Sequence, residues 1–117
     1  MRLLWPSPPH LLDLVTVFEL LVLALLEARR RHGYELGKPI ESRSHGRLQF
    51  RIGSLYPILC RLEEKGLITG RWVEKSGERR RRFYRLTSAG REMLATQRSV
   101  WQNFITAVNQ ILGGEHA

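Results

Sequence analysis

The residues best suited to chemistry in this chain of 117 residues are arginines, and four of them follow one another directly at positions 79–82. They stand in a β-prone run, to which Arg71, Lys75 and Arg85 add further positive charge. A strand with arginines on both faces cannot bury either face without a counter-charge, so a polyanion along it is favoured over a packed core. The alternative is an edge strand that its charge protects from aggregation.

A second group of polar side chains is predicted to line the outer face of a helix. Ser54, Pro57 and Arg61 recur at helical spacing, opposite an apolar stripe. Because proline is tolerated in the first turn of a helix, the helix is predicted to begin near Gly53, and Gly66 is a natural stop. The apolar stripe consists of Leu55, Ile58, Leu59 and Leu62. One face of this helix therefore packs, and the other is offered outward.

The segments on either side predict a helix-turn-helix followed by a hairpin. Residues 33–44 favour a short helix, and residues 42–51 a turn with a short extended piece at 48–50. Two short helices joined by a turn, the second with a polar outer face, are the helix-turn-helix arrangement. Two β-prone runs, at 67–75 and 79–86, surround a Ser-Gly turn and predict the hairpin.

Residues 11–31 form an apolar segment that predicts a buried helix. Asp13, Glu19 and Glu27 interrupt it, and the uncharged runs between them are far shorter than the roughly 18–20 residues needed to span a bilayer. A helix that is apolar on nearly all sides is buried on more than one side, which in a small domain indicates a partner subunit. The arginines at 29–31 are interpreted either as a solvated helix end or as a nucleic-acid contact.

A final helix is predicted from Thr87 or Ser88 to about Leu112. Its apolar residues recur at three- and four-residue spacing, in a stripe too long for one small domain to cover. A second copy of the chain is therefore expected to cover it. The residues of this stripe are Leu94, Trp101, Phe104, Ile105, Val108, Ile111 and Leu112.

Composition favours a nucleic-acid partner and argues against an enzyme. The 19 Lys and Arg residues against 11 Asp and Glu give a formal net charge of +8, which favours nucleic acid before an acidic membrane. The single cysteine, Cys60, fits a reducing, cytoplasmic location. Since no metal-ligand spacing, nucleophile arrangement or phosphate-binding glycine loop is found, no catalytic site, metal or cofactor is expected. The histidines, expected to be solvated, are His10, His32, His45 and His116.

The predicted fold class is mainly α with a small β-hairpin, in the form of a winged helix-turn-helix plus a long C-terminal dimerisation helix. Residues 1–10 contain three prolines and are expected to form a flexible N-terminal arm. Residues 11–86 are expected to form the winged helix-turn-helix DNA-binding domain, and residues 87–117 the C-terminal dimerisation helix.

Three blocks of sequence, found in the right order, resemble the PadR family of bacterial transcriptional regulators. They begin with His-Gly-Tyr-Glu-Leu at 32–36, continue through 53–68, and end at 81–90, so the resemblance covers residues 14–112. With one long helix after the wing, the chain is similar to the short, LmrR-like subfamily, whose members dimerise through their first and last helices. The resemblance implies a homodimeric repressor that binds an inverted-repeat operator in double-stranded DNA and is released by a small apolar or aromatic ligand.

In this family, residues near the start of the second helix of the motif enter the major groove, and the wing reaches phosphates or the minor groove. For Tyr56, core packing and DNA contact are weighed equally, and Tyr34 is interpreted as either a core residue or a phosphate donor. The resemblance implies DNA-binding roles for Tyr34, Arg51, Ser54, Tyr56, Pro57, Arg61, Arg79, Arg80 and Arg81.

Trp101 lies seventeen residues after Tyr84, a spacing similar to that in LmrR-like members, where two indoles from two subunits enclose flat aromatic ligands. The resemblance implies a ligand site at the dimer interface with Trp101 as its stacking plate. The alternative is that Trp101 fills the dimer core. The other residues implied in the site are Val100, Phe104, Leu14 and Phe18.

A basic protein-interaction or membrane-surface module without specific DNA binding is the competing hypothesis. Its hairpin would lie on acidic lipid, and the arm with Trp5 would serve as an anchor. This hypothesis explains the charge, but it leaves the helix-turn-helix spacing unexplained.

Overall fold

The computed structural model describes residues 14–49, 51–74, 77 and 79–113. The predicted N-terminal arm, residues 1–10, lies outside this part of the chain. Within it, the helices and strands follow the predicted order, with one short additional strand, and they confirm the predicted fold class. The elements are α1 (Leu14–Ala28), β1 (Arg31–His32), α2 (Tyr34–Arg43), α3 (Ile52–Glu64), β2 (Ile68–Val73), β3 (Arg81–Leu86) and α4 (Ser88–Leu112).

The hydrophobic core lies where α1, α2 and α3 meet the inner face of the sheet. All four residues of the apolar stripe predicted on α3 are at most 4% exposed. They pack in one cluster with leucines of α1 and with Leu36 and Ile40 of α2. Burying a leucine side chain contributes about 1.5–3 kcal/mol. This packing therefore holds α3 with its polar face turned outward.

Helix α1 is apolar on more than one side, as its sequence predicts. Val22, Leu23, Leu25 and Leu26 are buried, while Leu20, Leu21 and Ala24 are only partly buried against the core. Among the described residues, no helix has the length and hydropathy that a membrane crossing requires.

Helix α3 begins at Ile52, which confirms the predicted start near Gly53, and Pro57 is its sixth residue and lies in the second turn. Because proline has no N–H, the carbonyl oxygen of Gly53 receives no hydrogen bond from position 57. At the other end, Gly66 has a φ of +74° and donates its N–H to the Glu63 carbonyl at 3.0 Å. A positive φ favours glycine, so the predicted stop at Gly66 is confirmed.

The connection between α2 and α3 is a turn, as predicted, and Leu48 and Gln49 of the predicted extended piece lie outside the strands. The hydroxyl oxygen of Ser44 accepts the N–H of Leu48 at 2.9 Å. Such local bonds between side chain and backbone compete with the pairing that an extended segment needs. Phe50 lies outside the described residues.

The sheet is antiparallel, with β3 between β1 and β2. In the hairpin, Ile68 pairs with Leu86 and Val73 pairs with Arg81, which confirms the predicted hairpin. The edge strand β1 was not predicted, since two residues are too short to give a periodic signal.

Strand β1 corrects the interpretation of the arginines at 29–31. Arg31 is only 7% exposed, and its Nε donates to the carbonyl of Leu25 at 3.2 Å. Pairing with Tyr84 of β3 turns the Arg31 side chain toward the unpaired carbonyls at the C-terminal end of α1. Arg31 is thus neither solvated nor free to contact nucleic acid, whereas Arg29 and Arg30 are exposed.

Helix α4 begins with the predicted cap, because the Thr87 hydroxyl oxygen accepts the N–H of Gly90 at 3.0 Å. Its buried residues are Gly90 and Leu94, both in the first two turns. A helix of 25 residues is about 37 Å long. From residue 95 onward, the described side chains are half-buried or exposed. Most of α4 therefore extends past the core of its own chain.

Candidate nucleic-acid interface

The start of α3 presents small and polar side chains on its exposed side. Gly53, Ser54 and Pro57 are exposed, and so is Arg51, the extended residue that caps the helix. The first backbone N–H groups of a helix have no partner within it and favour an anion. Because its side chains are small, this end of α3 lets a ligand approach the backbone closely.

Tyr34 and Tyr56, for which both core packing and DNA contact were considered, are exposed. Tyr34 is 60% exposed and Tyr56 is 54% exposed. They line a groove of about 620 Å³ that runs between the start of α2, the helix α3 and the hairpin. Both phenol groups therefore lie at a surface where they can donate or accept hydrogen bonds.

Three arginines of the hairpin line the same groove. Arg79, Arg80 and Arg81 are exposed, and the described residues provide no ion pair to any of them. The guanidinium carbon of Arg80 lies 4.9 Å from the ring centroid of Trp72, and Nη1 of Arg81 lies 3.3 Å from Nε2 of His32. Guanidinium groups without a carboxylate partner suit phosphate oxygens, which they bind in a two-pronged fashion.

The fourth arginine, Arg82, faces α3 and forms an ion pair with Glu63. Its partial burial alone would lower the pKa of the guanidinium, but the Glu63 carboxylate outweighs burial and holds that pKa above its usual value. Gly70 leaves room for this side chain, because a Cβ there would collide with the guanidinium. The ion pair joins the hairpin to α3 across the groove.

Sequence reasoning missed Glu63, Arg82 and Trp72 as parts of this surface. Trp72 pairs with Arg82 in the hairpin register, so strand alternation could have placed them on one face with Tyr84. Glu63 lies 19 residues before Arg82 and comes near it only because the sheet docks on α3. No periodic pattern indicates such a contact.

Arg61 lies on the flank of α3 that faces α1. Its Nε donates to Oε1 of Glu19 at 3.3 Å, and Nζ of Lys65 lies 3.7 Å from Oε2 of the same carboxylate. The Arg61 side chain remains 41% exposed. Since a guanidinium has five N–H donors, this contact leaves others available at the surface.

The expectation that His32 is solvated is wrong, because its side chain is only 14% exposed. Its ring lies edge-on to Phe83, with centroids 5.4 Å apart, and its Nε2 lies 3.0 Å from Oε1 of Glu35. Partial burial alone would raise the pKa of Glu35. The hydrogen bond from Arg29 at 2.7 Å, the hydrogen bond from the N–H of His32 and the charges of His32 and Arg29 outweigh burial, so the pKa of Glu35 is lowered. This network fixes the start of α2 beside the hairpin.

The residues predicted to bind a ligand lie in two environments. Val100, Trp101 and Phe104 are half-buried on α4, with the Trp101 and Phe104 ring centroids 6.0 Å apart. Phe18 is buried in the core of the chain, at 9% exposure. The side chain of Leu14 lies outside the described part of the chain. The ligand role of these residues stays a prediction.

Comparison with known proteins identifies the family. The model of the "Transcriptional regulator PadR-like family" matches residues 22–96. The structure of a PadR-like transcriptional regulator from Bacillus cereus is 30% identical, with a TM-score of 0.73 over 86% of this chain and 95% of that one. A PadR family regulator from Clostridium difficile is 29% identical, with a TM-score of 0.72 over 81% of this chain and 97% of that one.

A further structure shares the fold and was solved with nucleic acid. It is Bacillus subtilis PadR in complex with operator DNA, 24% identical, with a TM-score of 0.63 over 68% of this chain and 45% of that one. At this identity the likeness shows the fold alone. Since the family model spans more than half of the sequence and its fold is that of solved family members, the chain belongs to the PadR-like family of transcriptional regulators.

Proposed function

We propose that this regulator is a repressor that binds double-stranded DNA through α3 and the hairpin. The observation that carries the proposal is the shared groove, in which Tyr34, Tyr56 and the arginines 79–81 lie together beside the exposed face of α3. Small side chains at the start of α3 suit entry into the major groove, and the hairpin arginines suit phosphates on either side. The operator complex of Bacillus subtilis PadR, which shares the fold, is consistent with this use.

Within this proposal, the residues implied by sequence divide by role. Ser54, Tyr56 and Pro57 face base edges in the major groove, while Arg51 and Arg61 at the two flanks of α3 hold phosphates. Tyr34 donates its hydroxyl to a phosphate, together with the hairpin arginines. Each phosphate contact releases condensed counterions, so the logarithm of affinity falls with the logarithm of salt concentration by about 0.9 per phosphate.

A homodimer of the short, LmrR-like type is the second part of the proposal. The apolar residues of α4 after Leu94 are half-buried or exposed in the single chain, and Ile111 and Leu112 are each 77% exposed. Leu20 and Leu21 of α1 are also only partly buried. A second copy packing its own α1 and α4 against these helices would cover both surfaces. Two α3 helices one DNA turn apart, about 34 Å, would then match an inverted repeat.

The dimer also provides the proposed site for a small apolar or aromatic ligand, beside Trp101, Phe104 and Val100. A ligand between the two α4 helices would change the spacing of the two α3 helices. It would release DNA only if it binds the released form more tightly than the DNA-bound form. The division into an arm at 1–10, a DNA-binding domain at 11–86 and a dimerisation helix at 87–117 follows from the same proposal.

The test is a fluorescence-anisotropy titration of DNA from upstream of the protein's own gene, at several salt concentrations. Wild type is compared with Arg79→Ala/Arg80→Ala/Arg81→Ala and with Arg91→Ala, which removes charge from an exposed position on α4. We expect selective binding whose salt slope falls by about 0.9 for each phosphate contact removed from the hairpin, and no comparable change in Arg91→Ala. Equally weak binding to every duplex would reject the repressor, and binding to acidic liposomes would then favour the membrane-surface module.

A further inference from the structure

The outer face of the sheet, which points away from α3, carries a second concentration of positive charge. A cavity of about 290 Å³ opens there, separate from the groove. Its lining includes Arg30, from the segment after α1, together with Thr69, Arg71, Val73, Phe83 and Arg85 from the hairpin.

The strand register brings two of these arginines together. Arg71 pairs with Phe83, and Thr69 pairs with Arg85, so Arg71 and Arg85 are diagonal neighbours on one face of the sheet. Diagonal neighbours lie about 7–8 Å apart, within reach of long side chains. Residues of the opposite parity, such as Trp72 and Arg82, project to the face that meets α3.

None of these three cations forms an ion pair with a described residue. The ion pairs in the described part of the chain join carboxylates to other basic residues, so the guanidinium groups of Arg30, Arg71 and Arg85 have no paired carboxylate there. Like charges placed close together on a sheet are destabilising. Protection of a sheet edge could explain Arg71 on β2, but Arg85 lies on the central strand and Arg30 outside the sheet.

We propose that the cavity formed by Arg30, Arg71 and Arg85 on the outer face of the sheet is a binding site for a small anion with two linked phosphates. Three guanidinium groups match the several oxygens of a diphosphate through charge-assisted, two-pronged hydrogen bonds. The Thr69 hydroxyl adds a neutral donor, while Val73 and Phe83 provide an apolar surface beside the phosphates. The diphosphate belongs either to inorganic pyrophosphate or to a nucleoside diphosphate.

The site differs from the proposed DNA interface in its position. The groove is lined by Tyr34, Tyr56 and the arginines 79–81, and none of these residues lines the cavity of Arg30, Arg71 and Arg85. The size of the cavity also favours a small molecule over a duplex. Binding of the anion is therefore expected without DNA, and its test does not depend on the proposed repressor function.

The experiment is isothermal titration calorimetry of the full chain, without DNA, using pyrophosphate and ADP as probes and inorganic phosphate as the single-phosphate reference. The test variant is Arg71→Gln/Arg85→Gln. The matched control, Arg47→Gln/Arg91→Gln, removes the same charge from exposed positions outside both the cavity and the groove. Thermal unfolding without ligand checks that both variants fold.

We expect saturable binding of pyrophosphate, weaker binding of phosphate, and a loss of about tenfold or more for each arginine removed from the cavity. The control variant keeps wild-type affinity. If ADP binds more tightly than pyrophosphate and loses affinity equally in Arg71→Gln/Arg85→Gln, the site is assigned to a nucleotide. If pyrophosphate binds more tightly, the site is assigned to pyrophosphate. Equal losses in both variants, or no saturation up to about 10 mM, would overturn the proposal. It is equally overturned if pyrophosphate fails to bind and Arg71→Gln/Arg85→Gln weakens DNA binding instead, since the surface would then serve nucleic acid.

Discussion

Arg82 of the hairpin and Glu63 of α3 form an ion pair that joins the two parts of the proposed DNA interface. Both side chains are about a quarter to a third exposed, so the pair is neither fully solvated nor fully buried. Because α3 faces the bases and the hairpin faces phosphates in the proposed complex, their relative orientation decides whether both can bind at once. This pair is therefore expected to contribute to affinity without contacting DNA.

Replacing Glu63 tests that role. We expect Glu63→Gln to lower the free energy of unfolding by about 1–2 kcal/mol, between the values for exposed and buried pairs, as measured by urea denaturation. Removing a negative charge near DNA should on its own raise affinity. Glu64→Gln, at an exposed neighbouring position, provides that baseline. Equal DNA affinities of Glu63→Gln and Glu64→Gln would contradict this role of the ion pair.

Gly70 offers a second way to disturb the same contact. A Cβ at Gly70 would collide with the Arg82 guanidinium, which is flexible enough to move away and leave Glu63. Gly70→Ala is therefore expected to reproduce the loss seen in Glu63→Gln. In the double variant the two losses should be clearly less than additive, since both act through one ion pair. Fully additive losses in urea denaturation would show that Gly70 acts through something else.

Gly90 gives the contrasting case of a collision that cannot be relieved. A Cβ there would press on the backbone carbonyl of Leu67, and the Leu86 side chain lies close on the same side. We expect Gly90→Ala to destabilise the fold by about 2–4 kcal/mol, in the range of overpacked cores and strained backbones. Ala89→Gly, at the exposed preceding position, measures the ordinary cost of exchanging these residues in a helix, about 1 kcal/mol. Similar small losses of stability in Gly90→Ala and Ala89→Gly would contradict the close approach of Gly90 to the Leu67 carbonyl.

The lowered pKa of Glu35 gives a prediction for acid stability. A carboxylate whose pKa is lower in the folded chain stabilises the fold above its unfolded value, near 4.5, and this stability is lost as the pH falls through the folded value. We expect Glu35→Gln to be less stable than wild type at pH 7 and to lose less stability on acidification to about pH 3. Urea denaturation at both pH values measures this. Equal losses of unfolding free energy on acidification in wild type and in Glu35→Gln would contradict this prediction.

A structural feature can be predicted from this sequence when the residues that form it lie close together along the chain. The apolar stripe of α3 and the Thr87 cap are confirmed, because each signal lies within a few neighbouring residues. Strand β1 was missed, because Arg31 joins the sheet only through a strand that lies far along the chain. The pairing of Arg82 with Glu63 was missed for the same reason. The apolar face of α4, whose side chains after Leu94 are exposed or half-buried, follows by contrast from periodicity alone.

That face carries the prediction on assembly. Ile105 lies on the apolar side of α4, and Asn103 lies near the opposite side of the same helix. We expect wild type to sediment as a dimer, and Ile105→Glu to sediment as a folded monomer that binds the inverted repeat weakly. Asn103→Glu adds the same charge and should remain a dimer. A monomeric wild type in analytical ultracentrifugation would contradict the proposed assembly.

Binding of DNA through α3 and the hairpin can be mapped directly by the amide chemical-shift changes that occur when the protein binds DNA from upstream of its own gene. We expect the changes to concentrate at the start of α2, in residues 51–61 and in the hairpin around Arg79 to Arg81. Only small changes are expected at Arg71 and Arg85 on the outer face of the sheet. Changes centred on that outer face or on α4, with α3 unaffected, would contradict binding through α3 and the hairpin.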